Sequence, residues 1–135
     1  MKTITKEAKT ESIAEITDFV DGELLARDCP IRQLTQIRVA IDELVSNVVY
    51  YAYPSGTGLI TVGFSFEEDT RTAVLTFEDD GIPYDPLKTA EPDISLPAEK
   101  RRIGGLGIFI VRRTMDDVSY VREDGRNILT IRKRI

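Results

Sequence analysis

The chain contains no histidine and a single cysteine, and the scarcity of these residues excludes several kinds of chemistry. Without histidine, imidazole base catalysis, Ser-His-Asp hydrolysis, phosphohistidine chemistry and histidine metal sites are ruled out. Cys29 has no partner for an internal disulfide, which is typical of a protein from a reducing, cytoplasmic compartment. Any reaction must therefore use carboxylates, amides or a bound metal.

Long hydrophobic runs and an excess of positive charge are also missing. No stretch approaches the roughly 20 apolar residues that span a bilayer, and residues 1–10 lack the apolar centre of a signal peptide. The 23 acidic and 18 basic side chains give a formal charge of −5, which repels a phosphate backbone. We therefore expect a cytoplasmic protein that binds neither membranes nor nucleic acid.

The hydrophobic pattern predicts one α+β domain. Of the 135 residues, 41% are hydrophobic and 30% charged, a composition typical of a single globular core. One helix is predicted after an N-cap at Thr10, and a longer one over residues 31–52. Strands are predicted over residues 2–5, 59–66, 73–78, 118–122 and 128–132. Helices combined with antiparallel hairpins indicate a two-layer sandwich, with the apolar helix stripes packed on one sheet face.

A segment without regular periodicity interrupts this pattern at residues 83–103. It contains four of the six prolines of the chain and is too long for an ordinary connection in a compact domain. We predict a mobile lid at about residues 84–103. A short helix over residues 108–115 follows it.

Glu43 and Asn47 are four residues apart on the second predicted helix, so their side chains lie on the same side of it. Mg²⁺ takes few protein oxygens and otherwise keeps water and substrate phosphates, so an amide oxygen beside a carboxylate suits a magnesium–nucleotide site. The same pair is also common on solvated helix faces.

Asp79 and Gly81 lie at the end of the strand predicted over residues 73–78. One interpretation is an ordinary acidic turn, because Asp and Gly are frequent turn residues. The other is that Asp79 accepts a hydrogen bond from the exocyclic amine of a base, while Gly81 allows a purine to lie close to the backbone.

Gly104, Gly105, Leu106 and Gly107 precede the short helix. Small residues at a helix N-terminus allow backbone N–H groups to converge on phosphate oxygens. A Walker A loop is excluded because no Gly-Lys-Ser or Gly-Lys-Thr follows, and the order of elements does not fit a Rossmann site. A hinge for the preceding segment is the alternative interpretation.

The order of these motifs resembles the GHKL ATPase superfamily. Residues 40–47, 79–86, 104–108 and 125–130 are most similar to the stand-alone anti-sigma factor serine kinases, also called switch-protein kinases. The resemblance covers nearly the whole chain and implies a single histidine-kinase-like ATPase domain over residues 1–135. It also implies a Bergerat fold, in which a mixed, mainly antiparallel sheet is covered by helices on one face.

The same resemblance implies a role for each motif. Asn47 would bind Mg²⁺, Glu43 would be the catalytic base, Asp79 would recognise the adenine of ATP, and Thr130 would support Asp79. Arg101 and Arg102 would add positive charge near the phosphates. The remaining ATP contacts that it implies are Tyr51, Gly81, Ile82, Gly104, Gly105, Leu106 and Gly107.

The activity implied is that of a Mg–ATP-dependent protein serine/threonine kinase. It would phosphorylate an antagonist protein, control a sigma factor or similar regulator by alternate binding, and form homodimers. Relatives often carry a basic residue or histidine one helical turn after the Asn, where this chain has Tyr50 and Tyr51. Because of this departure, a nucleotide-gated binding module without kinase activity is an alternative function. The catalytic half of a sensor histidine kinase and a purely structural domain are further alternatives.

Overall fold

The computed structural model of the chain describes residues 1–88 and 105–135. The predictions for Arg101, Arg102, Gly104 and most of the lid lie outside these residues. The elements in chain order are β1 Lys2–Glu7, α1 Ser12–Leu25, α2 Ile31–Asn47, a π-helical turn Val48–Ala52, β2 Leu59–Glu67, β3 Thr72–Asp79, a 3₁₀ turn Pro86–Lys88, α3 Gly105–Thr114, β4 Asp117–Glu123 and β5 Arg126–Arg134. Within the described ranges, no helix has the length and apolar character needed to cross a bilayer.

The strands form one five-stranded sheet in the order β1-β2-β3-β5-β4, and every neighbouring pair is antiparallel. The predicted α+β class is confirmed. The mixed sheet that the resemblance implied is wrong for the described strands. β4 runs in the same direction as β3, but its hairpin partner β5 lies between them, so these two strands never pair.

The core lies between the helices and one face of the sheet. On α1, the residues Ile16, Val20 and Leu24 recur every four positions and are inaccessible to solvent. On β5, the buried residues Asn127, Leu129 and Ile131 alternate with more exposed ones, so that one face of the strand carries the core. Each fully buried aliphatic side chain contributes about 1.5–3 kcal/mol of hydrophobic stabilisation.

The start of α1 differs from the prediction. Glu11 occupies the N-cap position with helical dihedral angles, φ −63° and ψ −23°, and no side-chain hydrogen bond caps the helix. The Thr10 carbonyl accepts the backbone N–H of Ile13, and the Lys9 carbonyl accepts that of Ser12. The prediction of Thr10 as the N-cap is wrong because a backbone hydrogen-bonded turn leads directly into the helix.

The end of the second helix changes its geometry. The prediction of helix to residue 52 covers α2 and the π-helical turn Val48–Ala52. This turn leaves Tyr50 70% exposed and Tyr51 36% exposed, while Val48 and Ala52 are buried. Turns of this kind occur frequently at functional sites.

Candidate functional site

One pocket brings the helix amide and the strand-end acid together. Asn47 at the end of α2 and Asp79 at the end of β3 line it, and Asn127 of β5 is a third polar residue in its wall. The other lining side chains include the apolar or aromatic residues Leu44, Val48, Phe77, Tyr84, Pro86 and Leu129. A largely apolar cleft with a few convergent polar groups is typical of a small-molecule site.

The Asp79 carboxylate is buried, and its described hydrogen bonds fall on one oxygen. The backbone N–H of Gly81 and the side-chain amide of Asn127 both donate to Oδ1 at 2.9 Å. No described residue donates to Oδ2, so this oxygen is available to a ligand as an acceptor. Burial raises the pKa of Asp79, while the bonds from Asn127 and Gly81 and the charge of Arg122 oppose that rise.

Asn127, and not Thr130, supports Asp79. Asn127 lies directly opposite Asp79 in the β3–β5 pair, whereas Thr130 lies opposite Thr76. Side chains alternate between the two faces of a strand, so Thr130, three residues from Asn127, points to the other face of the sheet. The predicted role of Thr130 beside Asp79 is therefore wrong.

Gly81 makes close contact with the end of the π-helical turn. A Cβ at this position would lie 2.2 Å from the backbone oxygen of Ala52 and 2.6 Å from its Cβ. The backbone N–H of the half-exposed Ile82 donates to the same Ala52 oxygen at 2.9 Å. This contact between two chain segments therefore requires glycine at position 81, a reason that the sequence interpretation did not include.

Tyr51 stacks on Tyr84, which lines the pocket. The ring centroids are 5.0 Å apart and the ring planes differ by 24°. The backbone N–H of Tyr84 donates to Oδ1 of Asn127 at 3.3 Å. The predicted ATP contact at Tyr51 is thus linked to the pocket through a second aromatic side chain.

The Glu43 carboxylate packs against the first turn of α3. A Cβ on Gly107 would lie 2.1 Å from both Cδ and Oε2 of Glu43, so glycine permits this approach. Oε1 of Glu43 and Nδ2 of Asn47 are buried and have no hydrogen-bond partner in the described part of the chain. One of these atoms is an acceptor and the other a donor, and they belong to side chains one helical turn apart, so the Asn47 nitrogen is directed toward Glu43 and its oxygen is left for another partner.

The donor set at this place fits Mg²⁺. No group of three or more His, Cys, Asp or Glu side chains that could enclose a metal is found in residues 1–88 and 105–135. Mg²⁺ does not require such a group, because it binds through one or two protein oxygens and completes its shell with water and phosphate oxygens. The side-chain amide of Asn47, whose nitrogen interacts with Glu43, can direct its oxygen to such an ion.

The environment of Glu43 also changes its acidity. Burial raises the pKa of Glu43 to about 7, the side chain of Asn47 opposes the rise, and the nearby Asp42 adds to it. A carboxyl group with a pKa near neutrality can accept a proton at physiological pH and is therefore suited to general base catalysis.

The pKa of Glu43 predicts a pH-dependent stability. Its pKa is about 7 in the folded chain against an ordinary value of 4.5, so the folded state binds more protons between these values. The free energy of unfolding therefore falls as pH rises through this window. Glu43→Gln removes this titration. Near pH 8 we expect the free energy of unfolding of the variant to exceed that of wild type by about 1–2 kcal/mol, a value reduced for the partial exposure of Glu43. Near pH 5 the variant and wild type should have similar free energies of unfolding. Urea unfolding at both pH values measures the difference.

Glu15→Gln is the matched control for this measurement. The pKa of Glu15, on α1, is lowered by Lys6 through a hydrogen bond and charge, so neutralising Glu15 should give no gain near pH 8. Equal stability of Glu43→Gln and wild type at both pH values would show that the Glu43 carboxylate is not buried in solution.

Gly107→Ala tests the contact between α3 and Glu43. The added Cβ meets the flexible end of the Glu43 side chain, so we expect the carboxylate to move into water while the fold persists. The difference in melting temperature between about pH 5 and pH 8 should then shrink. Gly22→Ala on α1 is the control, since a Cβ there meets nothing within 4 Å and should stabilise the helix by about 0.5–1 kcal/mol. An unchanged pH difference in Gly107→Ala would contradict the contact.

Comparison with known proteins gives matches over most of the chain. A family model described as a histidine kinase-like ATPase domain matches residues 6–133. Serine-protein kinase RsbW of Bacillus cereus (strain B4264) is 29% identical over 126 residues, which cover 90% of this chain and 78% of that relative. Serine-protein kinase RsbW of Bacillus mycoides (strain KBAB4) is 27% identical over the same shares of the two chains.

Solved structures share the fold at lower identity. The RsbU and RsbW domains of a Mycobacterium tuberculosis protein align with a TM-score of 0.66 at 14% identity, over 99% of this chain and 32% of that one. The chain thus spans about a third of that structure. The histidine kinase domain of a blue-light activated kinase from Erythrobacter litoralis aligns with a TM-score of 0.56 at 18% identity, over 77% of this chain and 45% of that one.

Proposed function

Because the chain belongs to the family of histidine kinase-like ATPase domains, we propose that its pocket binds Mg–ATP and that it phosphorylates a serine or threonine of a partner protein. The partner is an antagonist protein, and alternate binding to the antagonist and to a sigma factor or similar regulator gives the chain its regulatory role. The relatives named serine-protein kinase RsbW support this reading. The observation that carries it is the convergence of Asn47 and Asp79 on one pocket, with Glu43 one helical turn away.

Each of these residues has a separate task in the proposed reaction. Oδ2 of Asp79 accepts a hydrogen bond from the exocyclic amine of adenine, because Oδ1 is already bonded within the protein. The amide oxygen of Asn47 would hold Mg²⁺, and the ion would supply positive charge to the phosphates. Glu43 accepts the proton of the attacking hydroxyl. Catalysis then depends on positioning and charge stabilisation more than on covalent chemistry by the protein.

The start of α3 completes the proposed site. Gly105, Leu106 and Gly107 form its first turn, where backbone N–H groups without helical partners favour phosphate oxygens. The contact of Gly107 with Glu43 brings this turn to the proposed base. Phosphate contacts by Gly104, Arg101 and Arg102 belong to the same proposal and lie outside the described residues.

A second function retains the ATP site without phosphoryl transfer. Tyr50 is 70% exposed, and Tyr51 stacks on Tyr84, so the residues that follow Asn47 by one turn bring no positive charge to the phosphates. A nucleotide-gated module would hold ATP and bind its partner according to the nucleotide state.

Incubation with γ-labelled Mg–ATP and antagonist proteins encoded by neighbouring genes separates the two functions. Label on a serine or threonine of the antagonist supports the kinase. Complex formation that depends on ATP but leaves no label supports the binding module. A chain that neither binds ATP nor transfers label contradicts both, and a reaction without Mg²⁺ serves as the control.

A further inference from the structure

Asn127 is a buried amide that donates both of its N–H groups to the chain near Asp79. Only 4% of Asn127 is exposed. Its Nδ2 donates to Oδ1 of Asp79 at 2.9 Å and to the backbone oxygen of Ile82 at 2.8 Å. The amide therefore holds the carboxylate and the following turn together.

The amide oxygen of Asn127 is also fully used. It accepts hydrogen bonds from the backbone N–H of Tyr84 at 3.3 Å, from Nη1 of Arg122 at 3.2 Å and from the hydroxyl of Tyr120. The same Arg122 nitrogen donates to the backbone oxygen of Gly81 at 2.8 Å. These donors fix the amide orientation, because the reversed amide would direct its N–H groups at other donors and its oxygen at a carboxylate.

We propose that Asn127 is a positioning residue that determines base specificity, because together with the Gly81 N–H it occupies Oδ1 of Asp79 and leaves only Oδ2 for the nucleotide. Adenine offers one exocyclic amine, which a single acceptor oxygen satisfies. Guanine offers N1–H and its 2-amino group, which require two free carboxylate oxygens, and its 6-oxygen is itself an acceptor. The proposal rests on the ATP site described under the proposed function, and it adds the residue that selects a 6-aminopurine.

Asn127→Leu tests this role, because leucine is similar in size and makes no hydrogen bond. Calorimetric titrations use three probes: ATP, GTP and purine riboside triphosphate, which lacks the 6-amino group. We expect ATP to bind about 10–100-fold more weakly, as for a lost hydrogen bond to a charged group, and purine riboside triphosphate to change by less than about 3-fold. The preference for ATP over GTP should fall by the same factor as ATP affinity.

Two further variants keep the test decisive. Tyr120→Phe removes one hydrogen bond to the Asn127 oxygen and leaves no cavity. It should weaken ATP binding about 3-fold and leave the binding of purine riboside triphosphate unchanged. If Asn127→Leu does not fold, Tyr120→Phe replaces it in the titrations. Thr72→Val removes a buried hydroxyl at the other end of β3 and should change no affinity.

The outcomes separate this inference from the proposed function. Equal losses for ATP and purine riboside triphosphate in the Asn127 and Tyr120 variants would show a merely structural role and overturn the inference, while ATP binding by wild type would stand. Absence of ATP binding by wild type would overturn both.

Discussion

Glu43→Gln is expected to lower the rate of phosphoryl transfer by about 10²–10⁴-fold and to leave ATP affinity within about 3-fold of wild type. Glutamine has nearly the same shape as glutamate but cannot accept a proton, so the proposed base is lost while the packing against Gly107 is retained. Transfer is measured with labelled ATP at saturating concentration, and affinity by calorimetry.

Asp42→Asn is the control, because Asp42 is exposed and lies one residue before Glu43 on the same helix. Because Asp42 adds to the raised pKa of Glu43, the rates are compared at about pH 9, where Glu43 is deprotonated in both proteins, and this variant should keep the wild-type rate there. The wild-type rate should also rise with pH through about 7, because only the deprotonated Glu43 accepts a proton. Transfer at the wild-type rate in Glu43→Gln would reject the assignment of Glu43 as the base.

Asp79→Asn is expected to fold and to weaken ATP binding by at least about 100-fold. The N–H groups of Gly81 and Asn127 both require an acceptor, so they hold the new amide oxygen in the position of Oδ1. The amide nitrogen then replaces Oδ2 and presents a donor to the donor amine of adenine. Inosine triphosphate, which has a 6-oxygen, should lose much less affinity than ATP.

Asp80→Asn is the matched control for this prediction. Asp80 is an exposed neighbour of Asp79 that forms an ion pair with Arg126, and its neutralisation should leave ATP affinity unchanged. Binding of ATP by Asp79→Asn within about 3-fold of wild type would show that Asp79 does not recognise the base.

The secondary structure was largely predictable because its signals are local. Apolar residues at intervals of three and four predicted α2, and runs rich in β-branched residues predicted β2 and β3 to within a few residues. The N-cap of α1 was not predictable in this way, because a backbone turn at residues 9–12 replaces the side-chain cap expected at Thr10. The π-helical turn also lacks a separate hydrophobic period that would distinguish it from the end of α2.

The site was predictable only as far as its motifs extend. Three motifs in order predicted the family, which the match over residues 6–133 confirms. The support of Asp79 by Asn127 depends on the pairing of β3 with β5, which are separated by 46 residues (126 − 80) along the chain. Because a register shift of one residue reverses the face of every side chain, the sequence alone did not distinguish Asn127 from Thr130. The contact of Gly81 with Ala52 likewise depends on tertiary packing.

A crystal structure with Mg²⁺ and a non-hydrolysable ATP analogue tests the central claim most directly. We expect the exocyclic amine of adenine within about 3 Å of Oδ2 of Asp79, Mg²⁺ about 2.1 Å from the amide oxygen of Asn47, and the phosphates beside the first turn of α3. A nucleotide bound elsewhere on the molecule, or a metal without Asn47 among its ligands, would contradict the account.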